Sequence, residues 1–277
     1  MVILPKIPIG EYVELAVFWI ELHLGWLLDF ISDFLDFMIT GLKDLLLFFP
    51  PIVFMIILAA FAYFTGKRNL KLAVGTFLGL LIIDNLELWE LSIETLSLVI
   101  SSTFLALIIG IPLGIIAAKS DLFYHALKPI LDLMQTMPSF VYLIPALIFF
   151  GLGNVPGMIA TLVFAMPPAI RLTNLGIRQV PPELKEVADA FGSTPWQKLT
   201  KVELPAGLPT IMAGINQCIM LSLSMVVIAA MIGAHGLGYQ VLLGIQRVDI
   251  GLGFEAGLGI VIIAIILDRI TQNLSPK

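Results

Sequence analysis

The chain has 277 residues, of which 59% are hydrophobic and only 13% charged, and its mean hydropathy is +1.02. This composition excludes a soluble globular domain and places the chain among membrane proteins, despite a formal charge of −5. Its single cysteine, Cys218, excludes an internal disulfide framework, and the apolar residues around it favour a buried thiol.

Residues 1–47 predict an amphipathic N-terminal arm. On an ideal helix, the acidic side chains of this region and Lys43 fall within an arc of about 140°, and most of its aromatic side chains fall outside that arc. Such a pattern is typical of a helix that lies in the membrane interface. We expect Gly25 and Gly41 to divide the helix, and we interpret the arm as either a docking element or a helix that only rests on lipid. The first residues lack a basic region and a small-residue cleavage site, so we expect no cleaved signal.

Residues 48–277 predict an all-α, polytopic transmembrane helix bundle, because a spanning helix needs about 20 mostly apolar residues. Proline and glycine inside several of these segments are tolerated when neighbouring helices satisfy the freed backbone groups. The predicted spans number about seven, the second of them short: 48–64, 69–84, 96–118, 131–150, 156–176, 211–234 and 254–273.

The basic residues predict the orientation, because cytoplasmic loops collect Lys and Arg. If the polar loop near residue 190 lies inside and the sides alternate, twelve of the 15 basic residues lie inside and three outside. This distribution places the N-terminus outside and the C-terminus inside a prokaryotic cell membrane. The inside set is Lys67, Arg68, Lys71, Lys119, Lys128, Arg171, Arg178, Lys185, Lys198, Lys201, Arg269 and Lys277, and the outside set is Lys6, Lys43 and Arg247.

The chain carries no pattern typical of catalysis. Its three histidines are far apart, and the sequences HExxH, GxSxG and CxxC are absent, as is the phosphate-binding loop GxxxxGK[ST]. We therefore expect no enzyme activity, no metal site and no cofactor in this chain. If it moves a solute uphill, ATP and magnesium must act in a partner subunit.

The conspicuous polar stretch is ELKEVADAFGSTPWQKLTKVELPAGLP, residues 183–209. A first helix is predicted from Pro182 to Phe191, followed by Gly192 in the left-handed conformation that ends a helix. Thr194, Pro195 and Gln197 then form a capping box that opens a second helix, which we expect to stop before Pro205.

This loop resembles the "EAA" loop of ABC importer permeases: E-A-A, three residues, G, nine residues, I-x-L-P. Here Glu186-Val187-Ala188 is followed at the same spacing by Gly192 and by Val202-Glu203-Leu204-Pro205. Val187 and Val202 are conservative departures from the pattern. The resemblance implies a type I permease fold in which residues 182–205 couple to a cytoplasmic ATPase. The implied coupling residues are Glu186, Ala188, Gly192, Trp196, Leu204 and Pro205.

Residues 131–157, 164–181 and 233–272 resemble the glycine betaine/proline betaine branch of this family, whose longer members share an acidic N-terminal arm. The resemblance implies a permease that forms the translocation pore for compatible solutes in osmoprotection. The implied partners are a cytoplasmic ABC ATPase dimer, an extracytoplasmic substrate-binding protein, a second copy of the chain and membrane lipid, but no nucleic acid.

Aromatic faces recognise quaternary ammonium ions, and one predicted span offers Phe140, Tyr142, Phe149 and Phe150 as a weak pore lining. Packing or contact with lipid is the competing interpretation of these four residues. Two rival functions also stay open at this point: an importer for choline, carnitine or methionine, and a secondary carrier that needs no ATPase. A membrane scaffold that moves nothing is a third.

Overall fold

The computed structural model describes residues 8–274, so Lys6 and Lys277 of the charge count lie outside it. This part of the chain is helical and contains no strand. Its α-helices are α1 (Ile9–Leu47), α2 (Pro51–Thr65), α3 (Leu70–Asn85), α4 (Trp89–Lys119), α5 (Asp121–Thr136), α6 (Ser139–Phe150), α7 (Asn154–Arg178), α8 (Pro182–Ala190), α9 (Pro195–Lys198), α10 (Leu204–Ser224), α11 (Val226–Ala230), α12 (Leu237–Arg247) and α13 (Ile250–Leu274). A π-helix, Leu199–Glu203, joins α9 to α10.

The N-terminal arm is one unbroken helix, so the expected division at Gly25 and Gly41 is wrong. An isolated glycine costs a helix only about 1 kcal/mol, and a helix of 39 residues tolerates two. Its second half packs on the bundle, where Leu35 and Ile39 are buried with Leu98. Residues 10–47 are long enough to span a membrane, and a stretch of 18 residues within them has a mean hydropathy of 1.5. Placement of the arm in the interface therefore stays a prediction.

Four predicted spans correspond to helices that are long and apolar enough to cross a membrane: α4, α7, the run Pro195–Ala230 that contains α10, and α13. The first two predicted spans are shorter helices. α2 and α3 have 15 and 16 residues, which gives each a length of about 22–24 Å against about 30 Å of bilayer core. With α1 included, the described residues hold five such helices, or six with one bent pair, rather than the seven predicted spans.

The predicted span 131–150 is not a straight helix. It divides into the end of α5 and the whole of α6, which meet at an angle of 99°. Pro138 explains the break, because a residue before proline is forced out of the helical region, and Met137 is extended with ψ 136°. The Tyr142 hydroxyl donates to the Met134 carbonyl across the bend.

The centre of the bundle is α7, which packs between α4 and α10. Small residues permit both contacts. A Cβ added at Gly114 of α4 would lie 2.6 Å from the Cβ of Thr173, and one added at Gly207 of α10 would lie 2.8 Å from the Gly176 carbonyl. Close backbone approach over small residues is how membrane helices gain van der Waals contact without a hydrophobic driving force.

Candidate functional site

The loop between α7 and α10 folds as two helical pieces that meet at Gly192, as the sequence predicts. Gly192 has φ +72°. Its N–H donates to the Asp189 carbonyl (2.9 Å), and the Ser193 N–H donates to the Ala188 carbonyl (3.0 Å). These two bonds form a Schellman motif, in which a left-handed residue satisfies the last carbonyls of the preceding helix.

The second piece begins with the predicted capping box. The Gln197 N–H donates to Thr194 Oγ1 (3.3 Å), and the Thr194 N–H donates to Gln197 Oε1 (2.9 Å). The expected stop before Pro205 is wrong, because the chain continues through the π-helix directly into α10. The Leu204 N–H reaches the Leu199 carbonyl. Pro205 then falls in the first turn of α10, where a missing N–H costs no bond within that helix.

Two ion pairs hold the loop in place. Lys198 Nζ contacts Asp189 Oδ1 and Oδ2 at 2.6 and 2.8 Å, which links the two loop helices across the Gly192 turn. Glu203, in the π-helix, pairs with Lys119 at the end of α4. The Glu203 side chain is only 4% exposed, so this pair ties the base of the loop to a long, central helix.

Arg178, at the end of α7, organises the neighbouring helix ends. Its Nη1 contacts Asp121 Oδ1 at 2.7 Å, its Nε donates to Asn174 Oδ1 at 2.8 Å and its Nη2 donates to the Ala117 carbonyl at 2.8 Å. The guanidinium also lies over the Tyr124 ring, 5.3 Å from its centroid. The ends of α4, α5 and α7 therefore form one unit below the loop.

Sequence reasoning counted Lys119 and Arg178 only as inside charges and Glu203 only as a variable position of the loop motif, and it predicted none of their pairings. The signal that could have found them is a charge at the end of an apolar segment, since such groups in membrane proteins pair with one another or with backbone carbonyls.

The loop exposes large apolar side chains among its charged ones. Four large side chains project from it: Leu184 (45% exposed), Val187 (54%), Phe191 (87%) and Trp196 (71%). We call these four residues the loop apolar surface. They lie on α8, in the turn and on α9, within 13 residues of one another in the chain, and neighbouring exposed apolar residues mark an interaction site more often than singly scattered ones do.

The predicted coupling residues take different positions. Glu186, Trp196 and Pro205 are exposed, Ala188 is buried and Leu204 is half-buried. Gly192 is exposed, and a Cβ added there would meet no atom within 4 Å.

The aromatic residues proposed for the pore do not form a cage in the single chain. Tyr142 is buried in a hydrophobic cluster with Leu143 and Met225, so it does not line an open surface. Phe140 is exposed, Phe149 and Phe150 are half-buried, and among the described residues none of the four makes a ring–ring contact. A lining role for Phe140, Phe149 and Phe150 stays a prediction. Within residues 8–274, no group of His, Cys, Asp and Glu could hold a metal ion.

A bundle of several membrane-length helices, with a helix–glycine–helix loop braced at one end, is the architecture of a multi-pass transport permease. Residues 110–277 match the family described as "Binding-protein-dependent transport system inner membrane component", and the chain belongs to that family. It is therefore the membrane-spanning permease subunit of an ABC importer.

Two relatives agree with this assignment, and a solved structure shares the fold. The chain is 48% identical to the glycine betaine transport system permease protein OpuAB of Bacillus subtilis, over 99% of this chain and 96% of the relative. It is 49% identical to the glycine betaine/carnitine transport permease protein GbuB of Listeria monocytogenes, over 99% and 98%. An inward-facing structure of the MetNI methionine ABC transporter matches the fold with a TM-score of 0.59 at 21% identity, over 66% of this chain and 93% of that one.

Proposed function

We propose that this permease imports glycine betaine and related compatible solutes, as a homodimer around one pore, with ATP hydrolysed by a separate cytoplasmic ATPase dimer. An extracytoplasmic binding protein delivers the solute. The single observation that carries the choice of substrate is the identity of 48% and 49%, over nearly the whole chain, with two permeases whose names specify glycine betaine.

The loop apolar surface supports the coupling role. Phe191 and Trp196 flank the Gly192 turn, and most of each ring is exposed. Large aromatic side chains in this position are the kind of anchor that fills a groove on a partner protein. The Lys198–Asp189 and Lys119–Glu203 pairs fix the direction of the second loop helix and its continuation into α10. A push on Trp196 would thus reach the membrane helices through a continuous helical path from Pro195 to Ala230.

The orientation with the N-terminus outside and the coupling loop inside rests on the distribution of Lys and Arg, twelve of which fall on the loop side when the sides alternate. The described part of the chain keeps Lys185, Lys198 and Lys201 together in or beside the loop. Basic residues of this kind concentrate on the cytoplasmic side of membrane proteins.

The test is uptake by the complete system in liposomes that contain this chain, its ATPase and its binding protein. Labelled glycine betaine is added on the side of the membrane opposite the coupling loop. We expect uptake only when all three proteins and ATP are present. Uptake without the ATPase, abolished by an ionophore, would instead identify a secondary carrier.

Carnitine is the second substrate with a specific observation in its favour, since the name of the GbuB relative includes it. Competition in the same liposomes separates the two solutes. If unlabelled carnitine displaces labelled glycine betaine at similar concentration, the system accepts both.

A further inference from the structure

One face of α10 differs from the other exposed faces of the bundle. Pro209, Ala213, Gln217, Met220 and Ser224 are all exposed in the single chain. Their spacing of four, four, three and four residues places them within one stripe about 80° wide on an ideal helix. We call these five residues the α10 stripe. It contains no aromatic and no β-branched residue.

The exposed stripe of α4 shows the contrast. There, Ile100, Phe104 and Ile108 follow one another at a spacing of four residues and are 36%, 55% and 51% exposed. α13 likewise exposes Val261 and Ile265, at 51% and 55%. Large apolar side chains of this kind suit contact with lipid. The α10 stripe differs, because Met220 (37% exposed) is its one large apolar residue and Ala213, Gln217 and Ser224 are small or polar.

The depth of Gln217 makes the contrast decisive. It lies 13 residues beyond Leu204, the first residue of α10, which is about 20 Å along the helix. Its neighbour Cys218 is buried with Ala106 and Ala165, which lie near the middles of α4 and α7, so the amide lies well within helices that cross a bilayer core of about 30 Å. An amide that faced hydrocarbon there without a partner would cost roughly 2–7 kcal/mol, so its surroundings must supply water or hydrogen bonds.

A polar cluster lies beside the stripe, between α10 and α13. Asn216 Nδ2 donates to Asp268 Oδ1 at 2.9 Å, and Gln272 Nε2 donates to both Asp268 oxygens at 2.8 Å. Asn216 Oδ1 is buried and has no hydrogen-bond partner among the described residues. The two amides hold the Asp268 carboxylate in one orientation near the C-terminal end of α13. Ionisable groups in membrane helices that face the interior of a bundle mark solute pathways.

The cluster opens onto a cleft of about 480 Å³. Asn216, Gln217, Thr271 and Gln272 supply its polar lining, and Met212 and Met220 supply thioethers. This mixture suits a small zwitterion in passage, because the methionines can contact the methyl groups of a quaternary ammonium. Asp268 does not line the cleft itself, but it lies directly behind Asn216 and Gln272 and adds negative charge to that side. The amides replace part of the hydration of both ends without holding the solute tightly, as a conducting path requires.

We propose that the α10 stripe lines the translocation pathway, and that the Asn216–Asp268–Gln272 cluster forms a polar station along it for a quaternary-ammonium zwitterion. The choice of solute rests on the proposed function, whereas the water-filled character of the stripe does not.

Cysteine accessibility in the complete reconstituted complex tests the proposal. In a Cys218→Ser background, Gln217→Cys and Ser224→Cys place thiols on the stripe, and Ile108→Cys is the matched control on the lipid-facing side of α4. The probe is trimethylammonium-ethyl methanethiosulfonate. The cysteine thiolate attacks the divalent sulfur of this thiosulfonate and releases methanesulfinate. The product is a mixed disulfide that carries the quaternary ammonium group. We expect modification at 217 and 224, measured by mass, to be at least about tenfold faster than at 108.

Modification at 217 should also block uptake, and saturating glycine betaine should slow it. Ala213→Cys, which adds only one sulfur to an exposed position, replaces any stripe variant that fails to insert. Reaction as slow at 213, 217 and 224 as at 108 would overturn the proposal, because it would place the stripe in lipid or in a closed contact that water does not reach. If 217 reacts rapidly but glycine betaine neither protects it nor is taken up, the pathway assignment stands and the proposed substrate fails.

Discussion

Gly192→Val should uncouple transport while leaving the protein in the membrane. Gly192 holds φ +72° in the turn between the loop helices, a conformation that costs a residue with a Cβ about 1–2 kcal/mol and is least tolerated by β-branched residues. A Cβ at this position meets no atom within 4 Å, so the cost arises from the backbone alone and not from a clash.

The magnitude follows from that penalty. About 1–2 kcal/mol corresponds to a fall of roughly 5- to 30-fold in the population of the native turn relative to its alternatives. The Lys198–Asp189 pair opposes the change, but Asp189 is 54% exposed, and a surface pair contributes at most about 1 kcal/mol. The variant relieves its strain by extending α8, which moves Phe191 and Trp196 relative to each other and disrupts the loop apolar surface.

Gly192→Asn is the matched control, because asparagine adopts the left-handed conformation far more readily than valine. The assay compares membrane abundance, co-purification of the ATPase and ATP-driven uptake for both variants. We expect normal abundance for both, with ATPase association and uptake weakened several-fold in the valine variant only. A valine variant with full ATPase binding and solute-stimulated ATP hydrolysis would refute the coupling role of this turn. If ATPase binding and uptake fall only in proportion to the amount of protein in the membrane, the turn has a structural role alone.

Three further outcomes are expected. Lys119→Glu should destabilise the protein by an amount at the low end of about 3–5 kcal/mol, the range for a broken buried pair, because Lys119 is itself 42% exposed. Adding Glu203→Lys should recover part of the thermal stability measured in detergent. Equal stability of the single and double variants would argue against the pair. A cysteine at Ser193 in the Cys218→Ser background should resist an impermeant reagent in intact cells and react after permeabilisation, and labelling from outside would invert the orientation. Native mass spectrometry of the purified complex should find two copies of this chain, since two-fold closed assembly is the commonest symmetry, whereas a functional complex with one copy would contradict the homodimer.

Local patterns were sufficient for much of the coupling loop. The side chains of Thr194 and Gln197 each accept a hydrogen bond from the other residue's backbone N–H, three residues away. Gly192 takes a conformation that few other residues adopt. Both features are therefore visible in the sequence. The membrane class and four of the spans likewise follow from hydropathy alone, and the resemblance to a known family rests on the match of residues 186–205 to its loop pattern.

Only the tertiary structure decided the features that depend on distant partners. Pro205 predicts the end of a helix, but the π-turn before it and the Lys119–Glu203 pair carry the chain onward into α10. The sequence offers Tyr142 as an aromatic face for a cation, but the ring is buried by packing with Leu143 and Met225. The Asn216–Asp268 hydrogen bond joins residues 52 positions apart, and no local pattern encodes that pairing. Hydropathy and capping are properties of neighbouring residues in the chain, whereas burial and ion pairing depend on which helices pack together.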